Sequence, residues 1–254
     1  MTSVRTKTMR DERWILPDWP APARVRAYTT TRKGGVSQGP YRSMNPADHV
    51  GDDPAAVAQN RQRLRQFLQL PGEPFWLQQV HGTASVNAAA STALPAADAS
   101  WCRQAGVVCA VLTADCLPLL LCDRHGRSIA AVHAGWRGLA AGVIEQTVAA
   151  MGTPADGLLA WMGPAISQAA YTVGDEVRAE FIRQQAGAAA AFQPAAEGWQ
   201  ADLYELARQR LAACGVTAVY GGEHCSALQP DEFFSFRRDG TTGRMASLIW
   251  LEAG

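Results

Sequence analysis

Histidine is scarce in this chain of 254 residues, and the scarcity limits the metal chemistry that the chain can support. Five histidines are present, whereas a multicopper oxidase needs about ten for its trinuclear and blue-copper centres. The sequence therefore excludes a multicopper centre built within one chain, and it leaves open a site for a single metal ion.

An excess charge of either sign is also missing, because 23 basic residues balance 23 acidic residues. No overall field draws the protein to nucleic acid or to an anionic membrane, so we expect neither partner. No apolar run reaches the length of about 20 residues that spans a bilayer. The polar N-terminal stretch MTSVRTKTMRDERW lacks the apolar segment of a secretion signal, and we expect a cytoplasmic protein.

Cysteine is too infrequent for a disulfide scaffold in a chain of this length. Most of the six cysteines lie in apolar contexts, where a free thiol behaves as a small buried hydrophobe. Cys116 differs, because it follows Asp115 and precedes Pro118 at an interruption of the apolar run. The other five are Cys102, Cys109, Cys122, Cys214 and Cys225.

Internal repeats, heptads and low-complexity linkers are absent, which favours one domain over residues 1–254. Strands and helices are mixed without strict βαβ alternation, so the pattern predicts a compact α/β domain with layered mixed sheets and flanking helices. Helices are predicted over Gly51–Leu70 and Gly138–Met151, and strands over Phe233–Phe236 and Met245–Leu251.

Three segments place a reactive side chain at the end of a predicted strand. The run Ile129–Ala141 reaches His133 before a glycine-flanked Trp-Arg pair, Phe75–Gly82 ends near His81, and Val107–Leu121 holds Cys116 between two apolar runs. Imidazole and thiolate are preferred zinc ligands, and three protein ligands leave a fourth position open for catalysis. We therefore predict a His2Cys zinc site, although a lone histidine at such a place is more often a turn residue.

Arginines provide candidate sites for an anion. Arg32 lies where a predicted strand enters a glycine-rich loop, Arg137 lies at the start of a predicted helix, and Arg237 follows an aromatic segment. A guanidinium can bind two oxygens of a phosphate or carboxylate at once. Arg237 and Arg238 would point to opposite faces if the strand Phe233–Phe236 continued through them. Simple solvation at the surface is the alternative for each of these arginines.

Several motifs together resemble the YfiH-like purine nucleoside phosphorylases, formerly named laccase-domain or polyphenol oxidase proteins. The resemblance covers nearly the whole chain and includes TTRKGGVSQGPYRSMN and HVGDDPAAVAQNR near the N-terminus. The other motifs are QVHG at Gln79–Gly82, TADCLPLLL at Thr113–Leu121, HAGWRG at His133–Gly138, GPAI at Gly163–Ile166, YTVGDEV at Tyr171–Val177 and FFSFRRDGTTGRMASLIWL at Phe233–Leu251.

The resemblance implies an α/β fold of layered sheets with zinc held by His81, Cys116 and His133, and copper is the alternative metal. It implies phosphorolysis of adenosine, inosine, guanosine and methylthioadenosine to the free base and ribose 1-phosphate, together with deamination of adenosine. The expected partners are thus a nucleoside and phosphate, and we expect a monomer, with a weak dimer as the alternative.

Site roles follow from the same motifs. The three metal ligands are also the expected catalytic residues, and Asp115 is a candidate proton shuttle for a deamination that uses a zinc-activated water. Arg32 and Arg237 are assigned to phosphate, with Arg137 as a third candidate. Further candidates by motif position are Asn45, His49 and Ser226.

Three other functions remain open on the residues alone. Cys116 could act as a nucleophile with His133 as its base, in an amidohydrolase acting on a cell-wall precursor or similar amide. A single His2Cys copper site with Met162 or Met44 as a weak ligand would suit an oxidase. A non-catalytic protein with a structural metal would unfold on chelation.

Overall fold

A computed structural model describes residues 11–91 and 94–253 of the chain. Residues 1–10, on which part of the cytoplasmic expectation rests, lie outside the described residues. The strands are β1 Trp14–Ile15, β2 Val25–Thr30, β3 Ser85–Asn87, β4 Ala99–Cys102, β5 Val108–Thr113, β6 Leu117–Asp123, β7 Ile129–Ala134, β8 Leu158–Met162, β9 Thr172–Val173, β10 Phe192–Pro194, β11 Trp199–Ala201, β12 Ala218–Gly221 and β13 Met245–Leu251. The α-helices are α1 Pro54–Leu68, α2 Trp136–Ala141, α3 Val143–Met151, α4 Asp175–Gln184, α5 Leu203–Ala213 and α6 Phe236–Asp239.

The strands form three sheets, and the largest is mixed, as the sequence predicts. This six-stranded sheet has the order β12-β8-β6-β7-β4-β3, with parallel pairs at its two edges and antiparallel pairs between them. A four-stranded antiparallel sheet has the order β1-β2-β13-β5, and a small one has the order β10-β11-β9.

The two larger sheets pack face to face between helical layers. Along β6, Leu119 and Leu121 face the core beneath α2, α3 and α5, whereas Leu120 and Cys122 face the core shared with the four-stranded sheet. Helix α1 covers the opposite face of the four-stranded sheet. Strand β6 is therefore buried on both faces, which explains its continuous apolar sequence. The α/β fold class with layered sheets and flanking helices is confirmed.

The predicted helices are present with altered boundaries. Helix α1 begins after Asp53, whose side chain accepts a hydrogen bond of 3.0 Å from the amide of Ala55. The predicted helix Gly138–Met151 is instead two helices, α2 and α3, because Gly142 adopts a φ of 100° between them.

Two strand predictions are wrong. Phe233–Phe236 forms no strand, because Ser235 caps α6 by accepting a hydrogen bond from the amide of Arg238. The segment Phe75–Gly82 makes only isolated bridges, through Phe75 and Gln78, before the chain turns at His81. Arg237 and Arg238 therefore lie on a short helix rather than on alternating faces of a strand.

Within the described residues, every helix is too short or too polar to cross a bilayer. All six cysteines are free, in agreement with the sequence.

Candidate active site

The pairing of β6 with β7 brings Cys116 to His133. Cys116 immediately precedes β6, and His133 is the penultimate residue of β7. Because the two strands are antiparallel, the start of one lies beside the end of the other, and Pro118 pairs with His133. Residues separated along the chain thus meet at one edge of the six-stranded sheet.

A buried carboxylate, Asp98, brings His81 to the same edge. Asp98 directly precedes β4, and its side chain accepts hydrogen bonds from the amides of Val80, His81 and Gly82 at 3.2, 2.9 and 2.6 Å. These bonds hold His81 at a φ of 59°, in the left-handed region that side chains rarely adopt. The turn that carries His81 is therefore fixed by one fully buried side chain.

The ligand atoms of His81, Cys116 and His133 all lie within 4.8 Å of one another. The Sγ of Cys116 is 3.9 Å from the Nε2 of His81, and the two imidazole rings are nearly perpendicular, with their centroids 4.8 Å apart. Gly135 closes the cluster, since a Cβ there would lie 3.0 Å from the Sγ of Cys116. His133 is buried and His81 is exposed, so the cluster opens to solvent on the His81 side.

Asp98 also orients His133. The Nδ1 of His133 lies 2.8 Å from Oδ1 of Asp98, which leaves Nε2 free for another partner. Burial opposes ionisation of Asp98, but hydrogen bonds from His133 and from the Gly82 amide lower its pKa. This carboxylate–histidine arrangement is the usual support of a histidine that binds a metal ion.

Cys116 and His133 favour the charged forms of each other in the metal-free protein. Burial opposes both charges, but the charge of His133 and its hydrogen bond lower the pKa of the Cys116 thiol to about 6. The charge of Cys116 and the hydrogen bond with Asp98 raise the pKa of His133 to about 9. A thiolate is therefore available at neutral pH.

The donor set suits zinc. Tetrahedral zinc, with bonds of about 2.3 Å to sulfur and 2.0 Å to nitrogen, separates two such ligand atoms by about 3.5 Å. The Sγ to Nε2 distance of 3.9 Å is close to that value. Two imidazoles and a thiolate leave one coordination position for another ligand. Met162, considered for a copper site, is a core residue whose methyl group lies near Gly222.

Asp115 lies beside the cluster and ties three segments together. Its Oδ1 accepts a hydrogen bond of 2.6 Å from the hydroxyl of Ser226, and its Oδ2 accepts one of 2.6 Å from the amide of Arg237. Its own carbonyl accepts a hydrogen bond from the amide of Ile166. The carboxylate therefore holds the loop of Ser226 and helix α6 against the start of β6.

Arg137 and Arg237 both lie near the ring of Tyr171. The Arg237 guanidinium lies 5.0 Å from the centre of the Tyr171 ring, and its Nη1 donates to the carbonyl of Thr172. Arg137 is exposed and stacks on Trp136 at 4.5 Å. Burial and the nearby charge of Cys116 raise the pKa of Tyr171 to about 12, while both arginines act against this shift. Both guanidiniums therefore lie within electrostatic range of Tyr171.

Three other candidates have different surroundings. Arg32 donates from Nε to the carbonyl of Arg42 and from Nη1 to that of Pro230, and it lies over the Phe234 ring. Asn45 is fully buried. His49 is exposed and lies 3.5 Å from the neighbouring Asp48.

Two residues that the sequence did not single out are important for the site. Asp98 follows an alanine-rich loop with no motif around it, and only the pairing of β4 with β7 reveals its position. Arg244 precedes β13; burial lowers the pKa of its guanidinium, while the charges of Cys116 and Asp115 act to raise it. Its amide donates to Oδ1 of Asn45 at 3.0 Å, so Asn45 positions the backbone of Arg244.

Similarity to known proteins was found at three levels. Residues 26–252 match a family described as multi-copper polyphenol oxidoreductase laccase. The chain is 55% identical over 241 residues to a protein of Pseudomonas aeruginosa named purine nucleoside phosphorylase, covering 94% of this chain and 98% of that protein. It is 50% identical over 238 residues to Escherichia coli K12 purine nucleoside phosphorylase YfiH, covering 93% and 98% of the two chains.

Solved structures have the same fold. Neisseria meningitidis protein NMB0706 superposes with a TM-score of 0.92 at 53% identity, covering 95% of this chain and 100% of that chain. YlmD of Geobacillus stearothermophilus superposes with a TM-score of 0.87 at 33% identity, covering 94% and 96% of the two chains. The chain therefore belongs to the YfiH family, which the laccase-described model also covers.

Proposed function

We propose that this protein is a zinc-dependent purine nucleoside phosphorylase that also deaminates adenosine. The observation that carries the proposal is the His81–Cys116–His133 cluster, which Asp98 supports and beside which the Arg237 amide bonds Asp115. The names of the two relatives agree with the phosphorylase activity. Adenosine, inosine, guanosine and methylthioadenosine are the proposed nucleosides, and copper is the alternative metal. The matching family is described as multi-copper, but the five histidines of this chain are too few for a multicopper centre within one chain.

Different residues of the site have different proposed roles in phosphorolysis. The reaction breaks the bond between the ribose C1′ and the purine nitrogen and forms a bond from C1′ to a phosphate oxygen, and the proton that the phosphate loses is transferred to the departing base. Bound zinc would supply a Lewis acid at His81, Cys116 and His133. Arg137 and Arg237 would hold the phosphate, since fork-shaped donors match its oxygens. Asp98 acts through His133, whose ring it holds in one orientation.

Arg32 is a weaker candidate for phosphate than its motif position indicates. Two of its nitrogens already donate to backbone carbonyls. Burial lowers the pKa of the Arg32 guanidinium, and the charged groups that act on it include Arg238, Asp239, Asp231 and Arg42. We therefore assign Arg32 to holding the loop in place.

Deamination of adenosine needs a proton relay near the amine. Asp115 is the proposed relay, because both of its oxygens keep a lone pair after accepting from Ser226 and Arg237. Water adds at the purine carbon, a proton moves through the carboxylate to the amine, and ammonia leaves. A single open site would then serve both reactions.

The test is chromatography of adenosine incubated with zinc-loaded protein, with and without phosphate. Phosphate-dependent adenine is expected for the phosphorylase and phosphate-independent inosine for the deaminase. Cys116→Ala should lose both products, whereas Cys214→Ala should keep them, because Cys214 is a half-buried cysteine remote from the cluster. Unchanged adenosine with folded, zinc-loaded wild-type protein would refute the proposal.

A second candidate function, an amidohydrolase with Cys116 as nucleophile, is favoured by one arrangement. Cys116, His133 and Asp98 have the order of nucleophile, base and orienting carboxylate. This candidate predicts amide hydrolysis by metal-free protein and its loss after alkylation of Cys116 by iodoacetamide. Restoration of adenosine turnover by added zinc, with no amide hydrolysis in its absence, would exclude it.

A further inference from the structure

Arg244 is a half-buried cation beside the candidate site, and no ion pair of its guanidinium is found among the described residues. It directly precedes β13, whose first residue, Met245, pairs with Thr113 of β5. Thr113 is two residues before Asp115, so this register places Arg244 beside the segment that carries Asp115 and Cys116. Tight backbone bonding then fixes its position, since its amide donates to the buried Asn45.

The hydrogen bonds of the Arg244 guanidinium leave most of its donors unused. Its Nη1 donates to the carbonyls of Thr242 and Gly243 at 2.9 and 3.0 Å, and no bond from Nε or Nη2 is found among the described residues. The ring of Phe236 lies 5.9 Å away and is itself exposed. An arginine has five N–H donors, so a face of this group remains available for a ligand.

The charges around the Arg244 guanidinium favour binding of an anion there. Burial lowers its pKa, whereas the charges of Cys116 and Asp115 act in the opposite direction. Each oxygen of Asp115 already accepts one hydrogen bond, from Ser226 or from the amide of Arg237, and no bond from the Arg244 guanidinium to Asp115 is found among the described residues. A zinc ion would neutralise the thiolate of Cys116, and the charge of Arg244 would then face a cationic site. Half-buried charges without a partner are costly, so an anionic ligand is the natural complement.

We propose that Arg244 is the principal binding residue for the phosphate co-substrate and places it next to Cys116. This assignment rests on the proposed phosphorylase function. It differs from the sequence-based choice of Arg32. Two nitrogens of the Arg32 guanidinium donate to backbone carbonyls, whereas only Nη1 of Arg244 does so among the described residues. Arg137 and Arg237 would then contact the phosphate from the outer side.

The test measures binding of inorganic phosphate to the zinc-loaded protein by titration calorimetry, without any nucleoside. Arg244→Gln should raise the dissociation constant about ten-fold or more, because a charged hydrogen bond is lost. Arg244→Lys should show an intermediate loss, since it keeps the charge but not the fork. Arg63→Gln is the matched control, because the Nη1 of Arg63 also bonds two successive carbonyls, those of Gly34 and Gly35, and it should bind phosphate as the wild type does.

Kinetics add a second readout. Arg244→Gln should raise the KM for phosphate and leave the KM for adenosine unchanged, whereas a merely structural role would move both values together. Equal phosphate binding by Arg244→Gln and Arg63→Gln, or no phosphate binding by the wild type, would overturn the assignment. Should Arg244→Gln fail to fold, the dissociation constants of Arg244→Lys and Arg63→Gln for phosphate are compared instead, and equal values would overturn the assignment. Phosphate bound through Arg244 without cleavage of adenosine would refute the phosphorylase function and leave the anion site standing.

Discussion

The two halves of the site are built in different ways. The proposed metal-binding half comes from the start of β6, the end of β7 and a turn that Asp98 holds, so sheet pairing determines its geometry. The proposed anion-binding half comes from arginines on short helices and loops, and two of these arginines donate backbone amide hydrogen bonds to Asp115 and Asn45. The first half should therefore be rigid and sensitive to single changes. The second half should tolerate them better.

Asp98→Ala is expected to have the largest effect on stability. The change removes the acceptor for three backbone amides and the partner of His133, all in a fully buried place. We expect a loss of about 3–5 kcal/mol in the free energy of unfolding, measured by urea denaturation. Asp48→Ala is the control, because Asp48 also lies beside a histidine but is exposed, and it should lose less than about 1 kcal/mol. Equal losses would show that Asp98 is not the anchor of this half.

Asp98→Asn should weaken zinc binding while it keeps the shape of the side chain. The amide no longer fixes the tautomer of His133, and such outer partners contribute about 10–100-fold to metal affinity. Competition with a chromogenic chelator measures the change. Asp123→Asn is the matched control and should keep the zinc affinity of the wild type. Asp123 is also buried, and its side chain accepts a hydrogen bond from the amide of Ser128. A normal zinc affinity in Asp98→Asn would contradict the supporting role.

Gly135→Ala tests how closely the metal half is packed. The new methyl group would lie 3.0 Å from both the Sγ of Cys116 and the His81 ring, so at least one ligand must shift. We expect zinc affinity to fall about ten-fold, since ligand placement is tightly specified. Gly187→Ala adds a methyl group with nothing within 4 Å and should bind zinc normally. Unchanged zinc affinity in Gly135→Ala would show that the cluster is looser than the structure indicates.

The same contrast explains what the sequence could predict. His81, Cys116 and His133 follow or interrupt apolar runs, and such interruptions show where a buried sheet meets its edge. The apolar run that follows Cys116 is strand β6, and all seven of its residues are buried. The layered α/β class was predictable for the same reason, because long apolar strands and amphipathic helices dominate the chain.

The sequence could not reveal residues whose role depends on long-range pairing. Asp98 is separated from His133 along the chain and becomes its partner only through the register of β4 with β7. Arg244 looks like an ordinary surface arginine before a strand. Helix α6 was missed because four residues are too few to show a helical period, and the aromatic residues before it are typical of strands.

Ser226→Ala probes the anion-binding half and is expected to have the smallest effect. The hydroxyl of Ser226 donates one bond to Asp115, whose other oxygen stays held by the amide of Arg237. We expect a loss of about 1 kcal/mol in the free energy of unfolding, with zinc affinity unchanged. Ser85→Ala is the matched control, because the buried hydroxyl of Ser85 has no partner among the described residues, and its removal should cost nothing. Zinc affinity that falls in Ser226→Ala would mean that the two halves are mechanically coupled through Asp115, which directly precedes Cys116, rather than built independently.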